Sequence, residues 1–257
     1  MKSEVADAAT GVIIPPGLGE WRLFAKASGP DAILGRMITF QDLCLDVADA
    51  GVAAAFWGPA LGLHADPSDP VRLVDGIDEH TLWLNVVPEP RTVKQRVHLD
   101  LHVAAVADLV DLGATVVDQS QPWTVLKDPE GGELCAFVRE PGKIPDYRLY
   151  EVVVDSADPV RIASWWADRF SVDAHHDHDQ GFSWLEGAPG MPWEMVFSRV
   201  PEPKTVKNRL HWDVRGDKEE LIGAGARLLR ARDAEIDWDV LADPEGNEFC
   251  VFDPRGR

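Results

Sequence analysis

The chain repeats itself. The stretch Pro88-Glu-Pro-Arg-Thr-Val-Lys-Gln-Arg-Val-His-Leu-Asp100 returns 113 residues later as Pro201-Glu-Pro-Lys-Thr-Val-Lys-Asn-Arg-Leu-His-Trp-Asp213, with nine of thirteen positions identical. A second block recurs as well: Trp123 followed by Asp128-Pro-Glu-Gly-Gly-Glu-Leu-Cys-Ala-Phe137 matches Trp238 followed by Asp243-Pro-Glu-Gly-Asn-Glu-Phe-Cys-Val-Phe252. A period above 100 residues is too long for a solenoid unit, so each copy reads as an independently packed domain. The predicted division is an N-terminal extension over 1–37 and two domains over 38–145 and 146–257, each of common domain length.

Composition bounds the class. Hydrophobic residues at 45% and charged residues at 27% describe an ordinary globular protein, and no apolar run approaches the roughly 20 residues of a membrane helix. A membrane partner is therefore not expected. The first residues lack the basic start and apolar stretch of a secretory signal, so the cytoplasm is the expected location. Three cysteines, Cys44, Cys135 and Cys250, read as free buried thiols in a reducing compartment. A net charge of −19, from 44 acidic and 25 basic residues, opposes attraction to phosphate backbones and argues against nucleic acid.

Periodicity orders the elements within each copy. The β-rich runs Leu43–Val47 and Tyr150–Asp155 are each followed by a helical stretch, Val52–Leu61 and Val160–Phe170, and then by short extended pieces up to the Pro-Glu-Pro linker. After the linker the pattern restarts with strands Arg96–Val103 and Arg209–Val214. The expectation is an α+β chain of four βαβββ modules, two per domain.

Alternation along a strand says which side chains share a face. In Val97–Val103 the apolar residues take one face, and His98, Asp100 and His102 take the other. The same parity groups Glu133 with Cys135, Asp42 with Cys44 and Asp46, Glu151 with Asp155, His211 with Asp213, and Glu248 with Cys250.

The linker-plus-strand block ending in His-x-Asp, the Trp before Asp-Pro-Glu-Gly and the paired βαβββ units resemble the glyoxalase/bleomycin-resistance/dioxygenase group, the vicinal oxygen chelate superfamily, over residues 38–255. The resemblance implies two glyoxalase-like domains with U-shaped mixed sheets around a cleft that holds a metal or a small ligand. Metal-dependent members take ligands from four places. The strand after the linker supplies His98 and His211; the last strand carries Cys135 and Cys250, with Glu133 and Glu248 two residues earlier; the end of the first module offers Asn85 and Ser198; and the first strand offers Asp42 and Glu151.

Two function classes stay open. One is a small-molecule-binding protein whose cleft is lined by His98, Asp100, Glu133, Cys135, Asp213, Cys250, Trp123 and Trp238, ten tryptophans against two tyrosines suggesting a pocket for a planar ligand. The other is a metal-dependent lyase, isomerase or extradiol-type dioxygenase with His211, Glu248 and Glu151 as the catalytic set, His211 and Glu248 binding iron, zinc, nickel or manganese. For single residues a structural role competes: hydrogen-bonded imidazoles, core tryptophans, turn-forming Asp-Pro-Glu-Gly. His175-His-Asp-His-Asp179 reads as an exposed inter-strand loop, and Lys94, Arg96, Lys207 and Arg209 as surface residues of the linkers. The assembly is expected to be a monomer or a homodimer.

Overall fold

The computed structural model describes residues 38–254, so the N-terminal extension lies outside the described residues. Four βαβββ modules follow one another. The first runs β1 (Thr39–Val47), α1 (Ala50–Leu61), β2 (His64–Asp66), β3 (Asp69–Val74) and β4 (Leu82–Val86). The second runs β5 (Val97–Val103), α2 (Val106–Asp111), β6 (Thr115–Asp118), β7 (Thr124–Lys127) and β8 (Glu133–Val138). The third comprises β9 (Leu149–Ser156), α3 (Pro159–Phe170), β10 (Ala174–Asp177), β11 (Phe182–Leu185) and β12 (Glu194–Arg199). The fourth comprises β13 (Leu210–Arg215), α4 (Lys218–Gly223), β14 (Arg227–Arg230), β15 (Asp239–Ala242) and β16 (Glu248–Phe252).

The strands form two open eight-stranded mixed sheets, and the pairing crosses the repeat. The first sheet has the order β14-β15-β16-β13-β1-β4-β3-β2, so it joins the first module to the fourth. The second has the order β10-β11-β12-β9-β5-β8-β7-β6 and joins the second module to the third. The sequence copies over 38–145 and 146–257 are therefore not independently packed: each gives one module to each sheet. The seams are antiparallel, Cys44 opposite His211 in one and Glu151 opposite Asp100 in the other. The repeat leaves open how the modules pair; among the described strands the two modules of one copy share no sheet.

What holds the two modules of one copy together is a different contact. Asp49 caps α1 through Gly51 and Val52 N–H groups, as a short acidic side chain does at a helix start. Glu130, from the first Asp-Pro-Glu-Gly turn, accepts from the N–H groups of Ala48 (2.9 Å) and Asp49 (2.7 Å), while Asp128 accepts from Trp57 Nε1 at 3.3 Å. The second copy repeats the device: Glu245 accepts from Asp158 N at 2.9 Å, and Asp243 accepts from Trp166 Nε1 at 3.2 Å. The repeated turn is thus more than turn chemistry; its carboxylates bolt one module to the helix of the other.

The apolar faces of both sheets pack under the helices. Leu43, Leu45, Leu82, Leu84, Trp212 and Phe249 are buried in the first sheet, and Leu99, Leu101, Val152, Val154 and Phe197 in the second. Trp57 and Trp166 are core residues, each satisfied through its indole N–H as buried tryptophans require. Helix α1 ends at Gly62 (φ 79°), where a Cβ would meet Asp146 O at 2.0 Å, so the position demands glycine on two grounds. His175–Asp177 is not a loop but lies in edge strand β10; His175 stacks on Trp184, 5.2 Å between centroids, and His176 Nδ1 lies 3.0 Å from Ser183 Oγ. Among the described residues no helix is long and apolar enough to cross a membrane.

Candidate functional site

The polar face of the first sheet carries His211, Asp213, Cys250 and Glu248 beside Cys44, Asp42 and Asp46. Cys44 Sγ donates to Asp213 Oδ2 at 3.5 Å, and His211 Nε2 is 3.7 Å from Asp213 Oδ1. Cys44, His211 and Asp213 are all buried and offer donor atoms within 4.8 Å of one another. His211 Nδ1 has no hydrogen-bond partner among the described residues. Burial pushes His211 down to about 4, which keeps it neutral, and burial together with Asp42 pushes Asp213 up to about 7. Burial also drives the Cys44 and Cys250 thiols far above their ordinary range, with Asp213 adding to it.

Glu248 does not join this cluster. Its Oε1 accepts from Lys204 at 2.7 Å and its Oε2 from the Asn208 N–H at 3.1 Å, so both oxygens hold the chain that enters β13. Glu133 plays the equivalent part in the other sheet, accepting from Gln95 N at 3.2 Å. These two carboxylates secure the linker. Trp238 lies against Phe252, half-buried, with ring centroids 5.4 Å apart.

Glu151 sits elsewhere. The crossed pairing puts β9 beside β5, so Glu151 belongs to the second sheet with His98, Asp100, Cys135 and Glu133 and not to the His211 cluster. The catalytic set His211, Glu248 and Glu151 is therefore not one site. His98 Nε2 is 3.4 Å from Asp100 Oδ1, and His98, Asp100 and Cys135 form a second group with donors within 4.8 Å. Burial disfavours the charged form of His98, but Asp100 and Asp155 outweigh it and hold its pKa above 6.5. Burial raises the Cys135 thiol, and Asp100 adds to it.

Glu151 has the most displaced carboxyl of this face. Burial, then the neighbouring Asp100 and Glu194, raise it from 4.5 to about 8. Glu194 is raised too, by burial and Glu186. A wall of rings stands beside it: Tyr150 lies 4.6 Å from His102 and 5.2 Å from Phe137, and Trp123 stacks on Phe137 at 5.7 Å. The Arg139 guanidinium covers Tyr150 at 4.7 Å and donates from Nε to His102 Nδ1 at 2.9 Å. Burial and then Arg139 push His102 down to about 4, so it is neutral. Trp123, Phe137, Tyr150, His102 and Glu151 are half-buried, which leaves part of each surface available to a ligand.

Tyr150, Arg139 and Glu194 escaped sequence reasoning. Strict alternation places Tyr150 opposite Glu151, but a register shift between Asp100 and Leu101 inserts Tyr150 as an extra residue between Glu151 and Leu149. Such a bulge re-aims a side chain. Arg139 and Glu194 come into play through the crossed pairing and a strand end. The adjacent polar residues of β9 were the only available signal.

Comparison with known proteins adds the family. The model of the glyoxalase-like domain matches residues 42–137 and 151–252. The chain belongs to the glyoxalase-like domain family. No match was found among curated proteins. Among solved structures, glyoxalase I from Zea mays is similar at 13% identity, covering 84% of this chain and 92% of its own, with a TM-score of 0.63. A candidate dioxygenase from Bacillus subtilis is similar at 14% identity over 86% of this chain and 87% of its own, with a TM-score of 0.57. At these identities the likeness is one of fold, and the fold hosts unrelated chemistries.

Some members of the resembling group carry a divalent metal, and the donor chemistry here can be tested against it. The sulfur, imidazole and carboxylate of Cys44, His211 and Asp213, with donor atoms within 4.8 Å of one another, are a set that suits zinc. Among the described residues, the second sheet offers His98, Asp100 and Cys135 in comparable proximity.

Proposed function

We propose that the chain binds a small planar organic ligand on the cleft face of the second sheet, with Glu151 as a neutral carboxylic acid that donates a hydrogen bond to it. The observation behind this reading is the half-buried ring wall of Tyr150, Phe137, Trp123 and His102 set against a carboxyl raised to about 8. Flat apolar surface supplies affinity through burial, and a few placed polar groups fix orientation. At neutral pH His102 is uncharged and Glu151 protonated, so a neutral acceptor such as a carbonyl oxygen is the matching ligand group. A carboxyl poised near the working pH is also able to move a proton to or from a bound ligand.

The test is a calorimetric and fluorescence screen of planar carbonyl compounds against the full chain. A hit is expected to bind saturably and to lose roughly tenfold or more in affinity with Tyr150→Leu, and again with Glu151→Leu, which removes the donor. Hits whose affinity neither substitution alters, or a screen without saturable binding, would overturn the reading.

A metal-dependent lyase, isomerase or dioxygenase is the second reading, favoured by the Cys44, His211 and Asp213 cluster. Those residues would hold the ion, which would polarise an oxygen of a chelating substrate. Elemental mass spectrometry of untagged protein decides it: near-stoichiometric metal that is lost in a His211→Ala, His98→Ala double variant supports the reading, and none after reconstitution with iron, nickel, zinc and manganese sinks it. Three free, buried thiols support the reducing environment of the cytoplasm. One chain supplies both halves of each sheet, which supports a monomer over a homodimer. The net charge of −19 speaks against nucleic acid as a partner.

A further inference from the structure

The most strongly repeated motif of the chain has no part in the cleft chemistry. Its two copies, the linkers starting at Pro88 and Pro201, come together around one cavity of about 740 Å³, lined from both copies by the motif residues and by Asp46 and Asp155. That volume lies within the range of small-molecule sites and exceeds what an inorganic oxyanion fills.

The contacts around the cavity are reciprocal. Lys94 holds Asp155 at 2.9 Å and Lys207 holds Asp46 at 2.6 Å, each lysine of one copy reaching the other copy's aspartate. Arg96 donates to Glu202 O at 2.7 Å and Asp155 O at 2.8 Å, and Arg209 donates to Glu89 O. Both arginines are therefore fixed by carbonyl oxygens, which orient a guanidinium without cancelling its charge. With Arg91, the lining carries five cationic side chains against the four carboxylates Asp46, Glu89, Asp155 and Glu202. In the whole chain the balance runs the other way, 25 basic against 44 acidic. Asp46 and Asp155 are buried beneath the lysines, and Glu89 and Glu202 are exposed.

The lysines are the groups that solvent reaches. Each has 58% of its side chain in solvent while the aspartate it holds is 4–5% exposed, so each ammonium compensates a buried carboxylate and keeps part of its surface open to the cavity. Beside them Val93 and Val206 are 44% and 42% exposed, giving the cavity an apolar flank from each linker. Cations with exposed valines suit a ligand that is both charged and apolar.

We propose that the inter-linker cavity is a binding site for an organic anion, a phosphate or carboxylate carried on an apolar body, gripped between Lys94 and Lys207 with Arg96 and Arg209 as fixed donors. The ligand lies across the approximate twofold that relates the copies. One molecule per chain is the expected stoichiometry, because one cavity is shared by both linkers.

Isothermal titration of the full chain with phenyl phosphate, and separately with inorganic phosphate, at constant ionic strength tests this. Phenyl phosphate is expected to bind saturably at one per chain and more tightly than inorganic phosphate. Lys94→Gln with Lys207→Gln is expected to weaken it roughly tenfold or more, because two charge-assisted donors are lost. The same double variant leaves buried Asp46 and Asp155 without their charge partners and should unfold at a lower temperature than the parent chain, so binding is compared below both transitions. A Lys94→Arg, Lys207→Arg variant retains binding. Absence of saturable binding, or equal affinity in the Gln variant, would overturn the proposal. So would a loss of phenyl phosphate binding in Tyr150→Leu, which would place the anion in the second-sheet cleft instead. The planar-ligand reading stands or falls on separate variants.

Discussion

Replacing Glu151 by glutamine should stabilise the protein, and by an amount that depends on pH. Glu151 is held with Asp100 and Glu194 close by, and its carboxyl rises from 4.5 to about 8. Its folded pKa lies above its unfolded one, so the folded state binds the extra proton. Below about 4.5 both states are protonated and nothing is lost. As pH climbs from 4.5 towards 8, the unfolded chain ionises this group and the folded chain does not, and stability falls. The full gap corresponds to about 3–6 kcal/mol at 1.36 kcal/mol per pH unit, taking the shift as good to about a unit. Glutamine keeps the shape and has no charge to desolvate. The stability difference between Glu151→Gln and the parent should therefore grow from about 1 kcal/mol or less at pH 5 to about 3–6 kcal/mol at pH 9, in favour of the variant. Urea unfolding followed by tryptophan fluorescence at pH values from 5 to 9 measures it. A difference that stays flat over this range, or a parent more stable at pH 9, would refute the claim that Glu151 is desolvated among like charges.

Other parts of the fold make sharp expectations. Gly62→Ala sets a Cβ at 2.0 Å from Asp146 O in a left-handed conformation, so a loss of about 3 kcal/mol or more, or failure to express in soluble form, should be seen by thermal unfolding. Trp57→Phe removes the indole N–H that Asp128 accepts and leaves a buried carboxylate short of a donor; about 1–3 kcal/mol should be lost in denaturant titration. Lys204→Met takes away the 2.7 Å partner of Glu248 in a pair where both side chains are only 13% exposed, and should cost about 1–3 kcal/mol, most of it recovered when Glu248→Gln is added. Native Cys44, Cys135 and Cys250 should resist a thiol-disulfide reagent at pH 8 and react at the rate of unfolding, since all three are buried and their thiols are held far above the usual range; rapid labelling of the folded chain would contradict that.

The legible part of the fold was local. Strand parity correctly grouped His98 with Asp100, His211 with Asp213 and Glu133 with Cys135, because successive residues of a strand point to opposite faces whatever the strand pairs with. Parity failed at Tyr150, where the bulge opposite Asp100 and Leu101 breaks the period of two. It also could not tell Cys44, in the cluster, from Glu248, whose oxygens are occupied by Lys204 and Asn208. Both residues alternate correctly, and only the partners reached through space separate them. The His175 strand was misread as a loop because a run of His and Asp has low strand propensity; pairing with β11 and stacking on Trp184 override it.

Sequence alone determined that this is a duplicated chain of four βαβββ modules, and which residues of each strand lie on the polar face, since repetition and alternation are properties of the covalent order. The tertiary structure decided how those modules meet. A strand edge offers the same row of N–H and C=O groups to any partner, so nothing in the repeat itself distinguishes pairing within a copy from pairing across copies. The caps from Glu130 and Glu245 and the Trp57–Asp128 and Trp166–Asp243 contacts instead join the modules of each copy through helix and turn, leaving their strand edges to the other copy. That choice separated Glu151 from His211, set it beside Asp100, and brought both linkers around a single cavity.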